Sequence, residues 1–430
     1  MSDAIIPHDL SHAASAKTLA AALAIAAFAY EAWFFDVAGR QGVAAMGGLV
    51  WALFCSAVFA AIALRGRPGK ARGVFFSVSA LAFIPSFIAG LVEARGHMAV
   101  SGAEIIAAQV PFCHIAITTS ILPAALFQTL DFPAQLAGSR ASFYPMLLYW
   151  LLSLVTVGRG WCGWVCFYGG IEDGISSLPR KARLDLGKRG PALRRINYAV
   201  LAFVALASLG TLIPVYCDWL CPFKLVTEYS DPVDARSYLA LIVFVGLFLG
   251  LVVVLPALSK RRTQCSTLCP FGALQSLLDK LSPYYVAVDT SACVSCGACD
   301  FSCPMFALDQ EARSTGAAKS SCVKCGRCFN ACPKGAIGYR ARHARSGLDI
   351  WSTLASRART KGEASAGLGF AYRALTAALE TLSALLSPAL LFPFTALSFG
   401  MIISTGFSAQ TMTRLVNLIV SGSFSAGGLK

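Results

Sequence analysis

Residues 293–304 read CVSCGACDFSCP, and residues 322–333 read CVKCGRCFNACP. Each run spaces its thiols C-x2-C-x2-C-x3-C and ends on proline, so Cys293, Cys296, Cys299 and Cys303 are repeated by Cys322, Cys325, Cys328 and Cys332. Thiolates are soft ligands that suit iron–sulfur clusters. Three closely spaced Cys grip one cubane, while the fourth Cys of each run crosses to the other. The spacing therefore predicts two [4Fe-4S] clusters. One sits on Cys293, Cys296, Cys299 and Cys332, the other on Cys322, Cys325, Cys328 and Cys303. Gly297 and Gly326 fall inside the ligand loops, where a Cβ would crowd a cluster. Zinc knuckles are the competing reading, but they pair two-Cys hooks at long separations.

Residues 290–338 thus resemble a bacterial-type two-[4Fe-4S] ferredoxin domain, a small α+β unit with pseudo-twofold symmetry. The rest of the 430-residue chain is of another kind: 56% of all residues are hydrophobic and only 13% are charged. An average soluble domain carries roughly 25% charged residues. A polytopic membrane protein is the expectation, mainly α-helical, with the ferredoxin as a cytoplasmic appendage. Crossing a hydrocarbon core of about 30 Å takes some 20 apolar residues. Six segments qualify: 18–37, 43–64, 73–93, 142–158, 198–216 and 237–257. A seventh, 384–404, is weakened by Pro388 and Pro393. The first span reads as an uncleaved anchor, because no small-residue cleavage site precedes Asp36.

Cationic loops fix the orientation. Arg65, Arg67, Lys70 and Arg72 lie between the second and third spans. Arg180, Lys181, Arg183, Lys188, Arg189, Arg194 and Arg195 follow the fourth, and Lys260, Arg261 and Arg262 follow the sixth. All three loops belong in the cytoplasm. The acidic 218–236 hairpin then faces outward, with Asp218, Glu228, Asp231 and Asp234. These placements agree only if the apolar stretch 111–130 does not cross, so it is expected as a re-entrant or outer-surface helix packed against protein. The net charge of +14 is loop charge in this scheme, and no nucleic-acid partner is implied. The chain divides into an N-terminal membrane region (1–140), a membrane core (141–282), the ferredoxin (283–345), and a basic linker with C-terminal membrane-associated helices (346–430).

Three further C-x3-C pairs each follow a span: Cys162 and Cys166 (WCGWVC), Cys217 and Cys221 (CDWLCP), Cys265 and Cys269 (CSTLCP). On a helix, thiols four apart share a face. One pair holds one side of a cluster, so pairs must combine. Cys162, Cys166, Cys265 and Cys269 share the cytoplasmic side and are assigned to an inner cluster, against the plain reading of reduced structural thiols. An intact span is about 30 Å long, which keeps Cys217 and Cys221 away from them. Their partners are sought in the 111–130 segment, giving an outer site of Cys113, His114, Cys217 and Cys221. A Cys217–Cys221 disulfide and a copper or zinc site are the alternatives. Cys55 reads as a core hydrophobe. The Gly169–Gly174 stretch (GGIEDG) reads as a solvated turn.

The order WCGWVC, membrane hairpin, CSTLCP and twin-cluster ferredoxin over about 142–340 resembles the membrane polyferredoxins of the periplasmic nitrate reductase (NapH) and nitrous oxide reductase maturation (NosR) types. The resemblance implies electron transfer across the inner (cytoplasmic) membrane, between a cytoplasmic donor or the quinone pool and an extracytoplasmic redox partner, which is often flavin-bearing. It allows a quinone or a flavin as a further cofactor. Related assembly polyferredoxins imply the alternative of a copper reductase or a redox-enzyme assembly factor. The chain departs from the pattern in placing Phe167, not proline, after Cys166, and in having the Cys217–Cys221 pair, the 94–130 segment and no recognisable flavin domain.

Overall fold

Helix-forming apolar runs dominate the architecture of the computed structural model, which describes residues 43–65, 68–95, 114–115, 118, 134–136, 139–141, 143–211, 215–224, 234–342 and 387–424. The expected first span 18–37, Cys113, most of the 111–130 segment and the 346–386 linker lie outside the described residues. In chain order come α1 (Val43–Arg65), α2 (Pro68–Arg95), the strands β1 (Ala134–Leu136) and β2 (Ser139–Ala141), α3 (Phe143–Thr156), the short α4 (Trp161–Trp164), α5 (Phe167–Ser177) and α6 (Gly190–Thr211). A π-turn follows at Tyr216–Leu220. Then come α7 (Ala235–Ser259), α8 (Thr263–Thr267) and α9 (Pro270–Leu278). The ferredoxin contributes β3 (Tyr284–Val288), α10 (Ala298–Ser302), α11 (Gln310–Thr315), α12 (Arg327–Ala331) and β4 (Ile337–Ala341), and the described chain closes on α13 (Pro388–Ser421).

Among the described residues, α1, α2, α6, α7 and α13 are long and apolar enough to cross a membrane. They carry large apolar side chains on their outer faces: Leu81 is 64% exposed, Leu206 69%, Ile242 67% and Ile419 83%. Water is a poor solvent for such a surface, and lipid suits it, so the helices are compatible with a membrane protein. The seventh apolar stretch becomes the 34-residue α13, which runs through Pro393 without ending. The expected fourth span is the 14-residue α3, about 21 Å at 1.5 Å per residue. The chain then turns through Gly158–Gly160 into two short buried helices instead of emerging.

The ferredoxin rests on one end of the bundle. Its antiparallel pair β3–β4 sets Val286 opposite Tyr339 and Val288 opposite Ile337. Phe392 at the start of α13 packs against Tyr339 (ring centroids 4.5 Å apart) and Tyr284 (5.6 Å). Pro68 and Gly69 at the start of α2 meet Gly326, and Gly190 at the start of α6 meets Phe306. Arg262, just past α7, donates its backbone N–H to Pro304 O at 2.9 Å. All three cationic loops of the sequence therefore share the ferredoxin end of the bundle, and α2 leads away from it.

Candidate metal centres

Each four-Cys run folds the same way. Gly297 (φ 75°) and Gly326 (φ 72°) hold the left-handed turn that starts α10 and α12, and Ser295 (φ 52°) and Lys324 (φ 52°) match two residues before. Left-handed backbone inside a tight loop turns successive N–H groups and thiols to one side. Two cavities result. One is lined by Cys293, Cys296, Cys299 and Cys332. The other is lined by Cys303, Cys322, Cys325 and Cys328. The thiols carry backbone donors: Lys324 N to Cys322 Sγ at 3.4 Å, Ala307 N to Cys303 Sγ at 3.3 Å and Ala336 N to Cys332 Sγ at 3.3 Å. An anionic sulfur is what such donors suit, so these residues fit iron–sulfur clusters.

Cys162, Cys166, Cys265 and Cys269 also come together. All four are buried, and each bears electrostatically on another of the set. The two pairs have the same local fold. Cys166 N and Cys269 N both bond the carbonyl five residues back, at 3.1 Å. Both Cys are extended and cap the helix that follows, their Sγ accepting from Gly169 N and Gly272 N at 3.4 Å. Phe167 in place of proline leaves this geometry unchanged. Arg262 Nη2 lies 3.0 Å from Cys265 Sγ, and Arg159 hydrogen-bonds Cys162. Arg262 Nη1 and Arg159 Nε are buried without a hydrogen-bond partner. Orphaned cationic donors beside four buried thiols fit a negatively charged cluster. Among the described residues, no three His, Cys, Asp or Glu side chains close on a single metal-ion position.

Cys217 and Cys221 are placed differently from the sequence expectation. Gln264 Nε2 donates to Tyr216 OH at 2.8 Å, and Cys217, Cys221, Cys265 and Cys269 all act electrostatically on Tyr216. The pair thus neighbours the inner thiols. A full span does not separate them, because the chain turns: Val215 N bonds Ser208 Oγ at 3.2 Å, Tyr216–Leu220 is a π-turn, and α8 folds back so that Thr263 Oγ1 bonds Leu251 O at 2.5 Å. His114 is buried with its Nε2 3.1 Å from Cys166 Sγ. It therefore stands beside the inner set, among the rings of Trp161, Phe167, Tyr168 and Phe271. Cys113 lies outside the described residues.

Sequence reasoning missed the charges that join these loops. Arg72, Arg261 and Arg262 are buried rather than solvated loop cations, and GGIEDG is a turn of buried helix rather than an open loop. Glu172 accepts from Gln264 N (2.7 Å) and Cys265 N (3.1 Å), so one thiol loop anchors the other. Arg72 bonds Gly163 O at 2.8 Å and Asp173 at 2.9 Å, and Arg327 of the ferredoxin reaches Asp173 at 3.1 Å. Lys324 Nζ bonds Asp279 at 2.8 Å and Val157 O at 2.9 Å. Burial lowers the Lys324 ammonium pKa while Asp279 opposes the shift. The one sequence signal available was an acidic pair directly after an apolar thiol run.

Comparison with known proteins finds iron–sulfur domains over the same stretches. A 4Fe-4S dicluster domain matches residues 292–337, and a 4Fe-4S binding domain matches three times, at 143–184, 196–233 and 241–283, once for each C-x3-C pair. YccM of Escherichia coli K12, named as an electron transport protein, is 24% identical over 180 residues, 40% of this chain and 48% of YccM. The methylamine utilization ferredoxin-type protein MauN of Paracoccus denitrificans is 31% identical over 162 residues, 37% of this chain and 52% of MauN. An uncharacterized protein of Methanocaldococcus jannaschii, MJ0750, is 25% identical over 178 residues, 40% of this chain and 68% of that protein. The chain spans about half the length of YccM and MauN. No solved structure matches. The domain matches give the chain 4Fe-4S domains of ferredoxin type, and its named relatives are an electron transport protein and ferredoxin-type proteins.

Proposed function

We propose that this chain passes single electrons between its ferredoxin domain and the far side of the helix bundle, by way of a cluster held in the bundle's heart. One observation carries the reading. The thiol loop of the core lies directly on a thiol loop of the ferredoxin, with Trp164 Nε1 donating to Lys324 O at 3.0 Å and Gly163 pressed on the Val323 carbonyl. Electron transport, the role in YccM's name, is the activity assigned here. Cys293, Cys296, Cys299 and Cys332 would hold one cluster, Cys303, Cys322, Cys325 and Cys328 a second, and Cys162, Cys166, Cys265 and Cys269 a third. Bound there, [4Fe-4S] groups supply one-electron redox chemistry. The protein's residues hold the thiols, exclude water and aim N–H groups at sulfur. Cys217 and Cys221, neighbours of the third set through Tyr216, form a further redox thiol site. The common end of the cationic loops supports an inner-membrane orientation with the ferredoxin in the cytoplasm. A cytoplasmic donor or the quinone pool would then serve one side, and an extracytoplasmic redox partner the other.

Iron and sulfide per chain, with EPR on anaerobically purified protein, test the scheme. About 12 Fe or more with matching sulfide is expected, falling by about 4 Fe in Cys265→Ser. Equal iron in wild type and Cys265→Ser removes the third site. A separate result checks the crossing of ligands. Cys303→Ser is expected to perturb the EPR signal that Cys325→Ser perturbs and to spare the one that Cys296→Ser perturbs. The opposite pattern refutes the crossed assignment.

A further inference from the structure

Resting on the reading of Cys162, Cys166, Cys265 and Cys269 as one cluster site, we infer that His114, Arg159 and Arg262 set this core centre above the neighbouring ferredoxin centre in reduction potential, so that electrons run from the ferredoxin into the bundle. Hydrogen bonds to the sulfurs, net charge and solvent exposure set an iron–sulfur potential. Exposure separates the two sites little: the core thiols are 5–7% exposed, and in the neighbouring set Cys303, Cys325 and Cys328 are 6–7% exposed while Cys322 is half-buried. Charge alone does not separate them either, because Arg261 bears on Cys303 while Glu172 and Asp279 oppose the cations at the core, so the hydrogen bonds to sulfur decide.

The donors differ in kind. Cys303 and Cys322 accept from the backbone N–H groups of Ala307 and Lys324. In the core, Cys166 and Cys269 have backbone donors of the same sort, from Gly169 and Gly272. Side chains are added to these: Arg262 Nη2 on Cys265 at 3.0 Å, Arg159 on Cys162, and His114 Nε2 on Cys166 at 3.1 Å. Two of the three are cationic, and charge-assisted bonds to sulfur are the stronger kind. A neutral imidazole has one N–H and one bare nitrogen, and opposite a thiolate the proton belongs on Nε2. Cys166 and Cys269 also cap the N-termini of the 11-residue α5 and the 9-residue α9, whose dipoles favour negative charge. In the other ferredoxin site Arg313 donates to Cys299.

The two halves of the ferredoxin then have different jobs. Val323 and Lys324 are each 1% exposed, pressed on the core, while at the matching place in the first run Val294 is 57% exposed and Cys296 is open. The open loop is the entry side. A soluble low-potential one-electron donor is oxidised there, and one electron, with no proton and no bond made or broken, passes to the core. A higher-potential one-electron acceptor takes it up beyond Cys217 and Cys221.

The test is a redox titration of the whole purified protein followed by EPR, with Cys265→Ser identifying the core signal. The core centre is expected to become reduced at a higher potential than the Cys303/Cys322/Cys325/Cys328 centre. His114→Phe, which keeps the ring and removes the donor, is expected to move the core signal alone to lower potential, and His114→Gln, which keeps an N–H, to move it less. A core signal that appears together with or below its neighbour, or that ignores His114→Phe, overturns the inference and leaves the three-centre reading standing. A sample with about 8 Fe and no third signal overturns both.

Discussion

Asp279→Ala is expected to destabilise the protein by about 3–5 kcal/mol, and adding Lys324→Met is expected to recover much of that loss. Asp279 is 3% exposed and Lys324 1%. The carboxylate accepts from Lys324 Nζ (2.8 Å) and Arg159 N (2.8 Å) through Oδ1 and from Arg342 (3.2 Å) through Oδ2. Lys324 sits between two thiols of the ferredoxin, whereas Asp279 and Arg159 belong to the bundle, so these bonds fasten one unit to the other. Removing the acid strands an ammonium where water cannot reach it, and that uncompensated charge is the main cost. Lys324→Met alone leaves Asp279 with two donors and should cost less, about 1–2 kcal/mol. Thermal unfolding of the four proteins in one detergent reads the cycle. If the double variant is as unstable as the sum of the single ones, the pair is not coupled and this account of the docking is wrong.

The ferredoxin was readable because a cubane imposes its own spacing on the chain. Cys293 to Cys303 and Cys322 to Cys332 carry that spacing in primary structure, and the two cavities follow it. The long apolar helices were readable from hydropathy, with α1, α2, α6 and α7 falling close to the expected segments. What sequence could not supply was where helices break. Lys260 turns the chain at φ 58° where no glycine stands to announce it, and that turn carries α8 back along α7. Counting residues as straight helix therefore put Cys217 and Cys221 a membrane's width from Cys265 and Cys269. The buried charges were hidden for a related reason. Arg72 looks like any loop cation until its partner Asp173, 101 residues away, is brought beside it. His114 was expected in an outer site with Cys113, Cys217 and Cys221, and its Nε2 stands by Cys166 instead; which thiol it meets depends on how deep its segment reaches, and composition does not encode depth.

Gly163→Val is expected to pull the ferredoxin off the bundle while leaving every thiol in place. Gly163 lies inside WCGWVC, and a Cβ there would strike the Val323 carbonyl oxygen, with Val323 Cβ at 3.2 Å behind it. The obstacle is backbone, so no rotamer change relieves it. Overpacking in a closed core typically costs about 1–3 kcal/mol, and here the strain falls on a contact that joins the two thiol loops. Arg72 to Gly163 O and Trp164 Nε1 to Lys324 O would be stretched with it. Iron content should stay at the wild-type level, because the ligand Cys are untouched. Thermal stability should fall, the 322–328 loop should become open to protease, and magnetic broadening between the core and ferredoxin EPR signals should weaken. Gly246→Val is the control. A Cβ at Gly246 meets nothing within 4 Å, and the residue lies in α7, so the same added volume should change none of these readouts. If Gly163→Val behaves like Gly246→Val, the two loops are not packed as described and the electron path through them is lost. If instead iron is lost from Gly163→Val, the glycine serves to build the core site rather than to admit the ferredoxin.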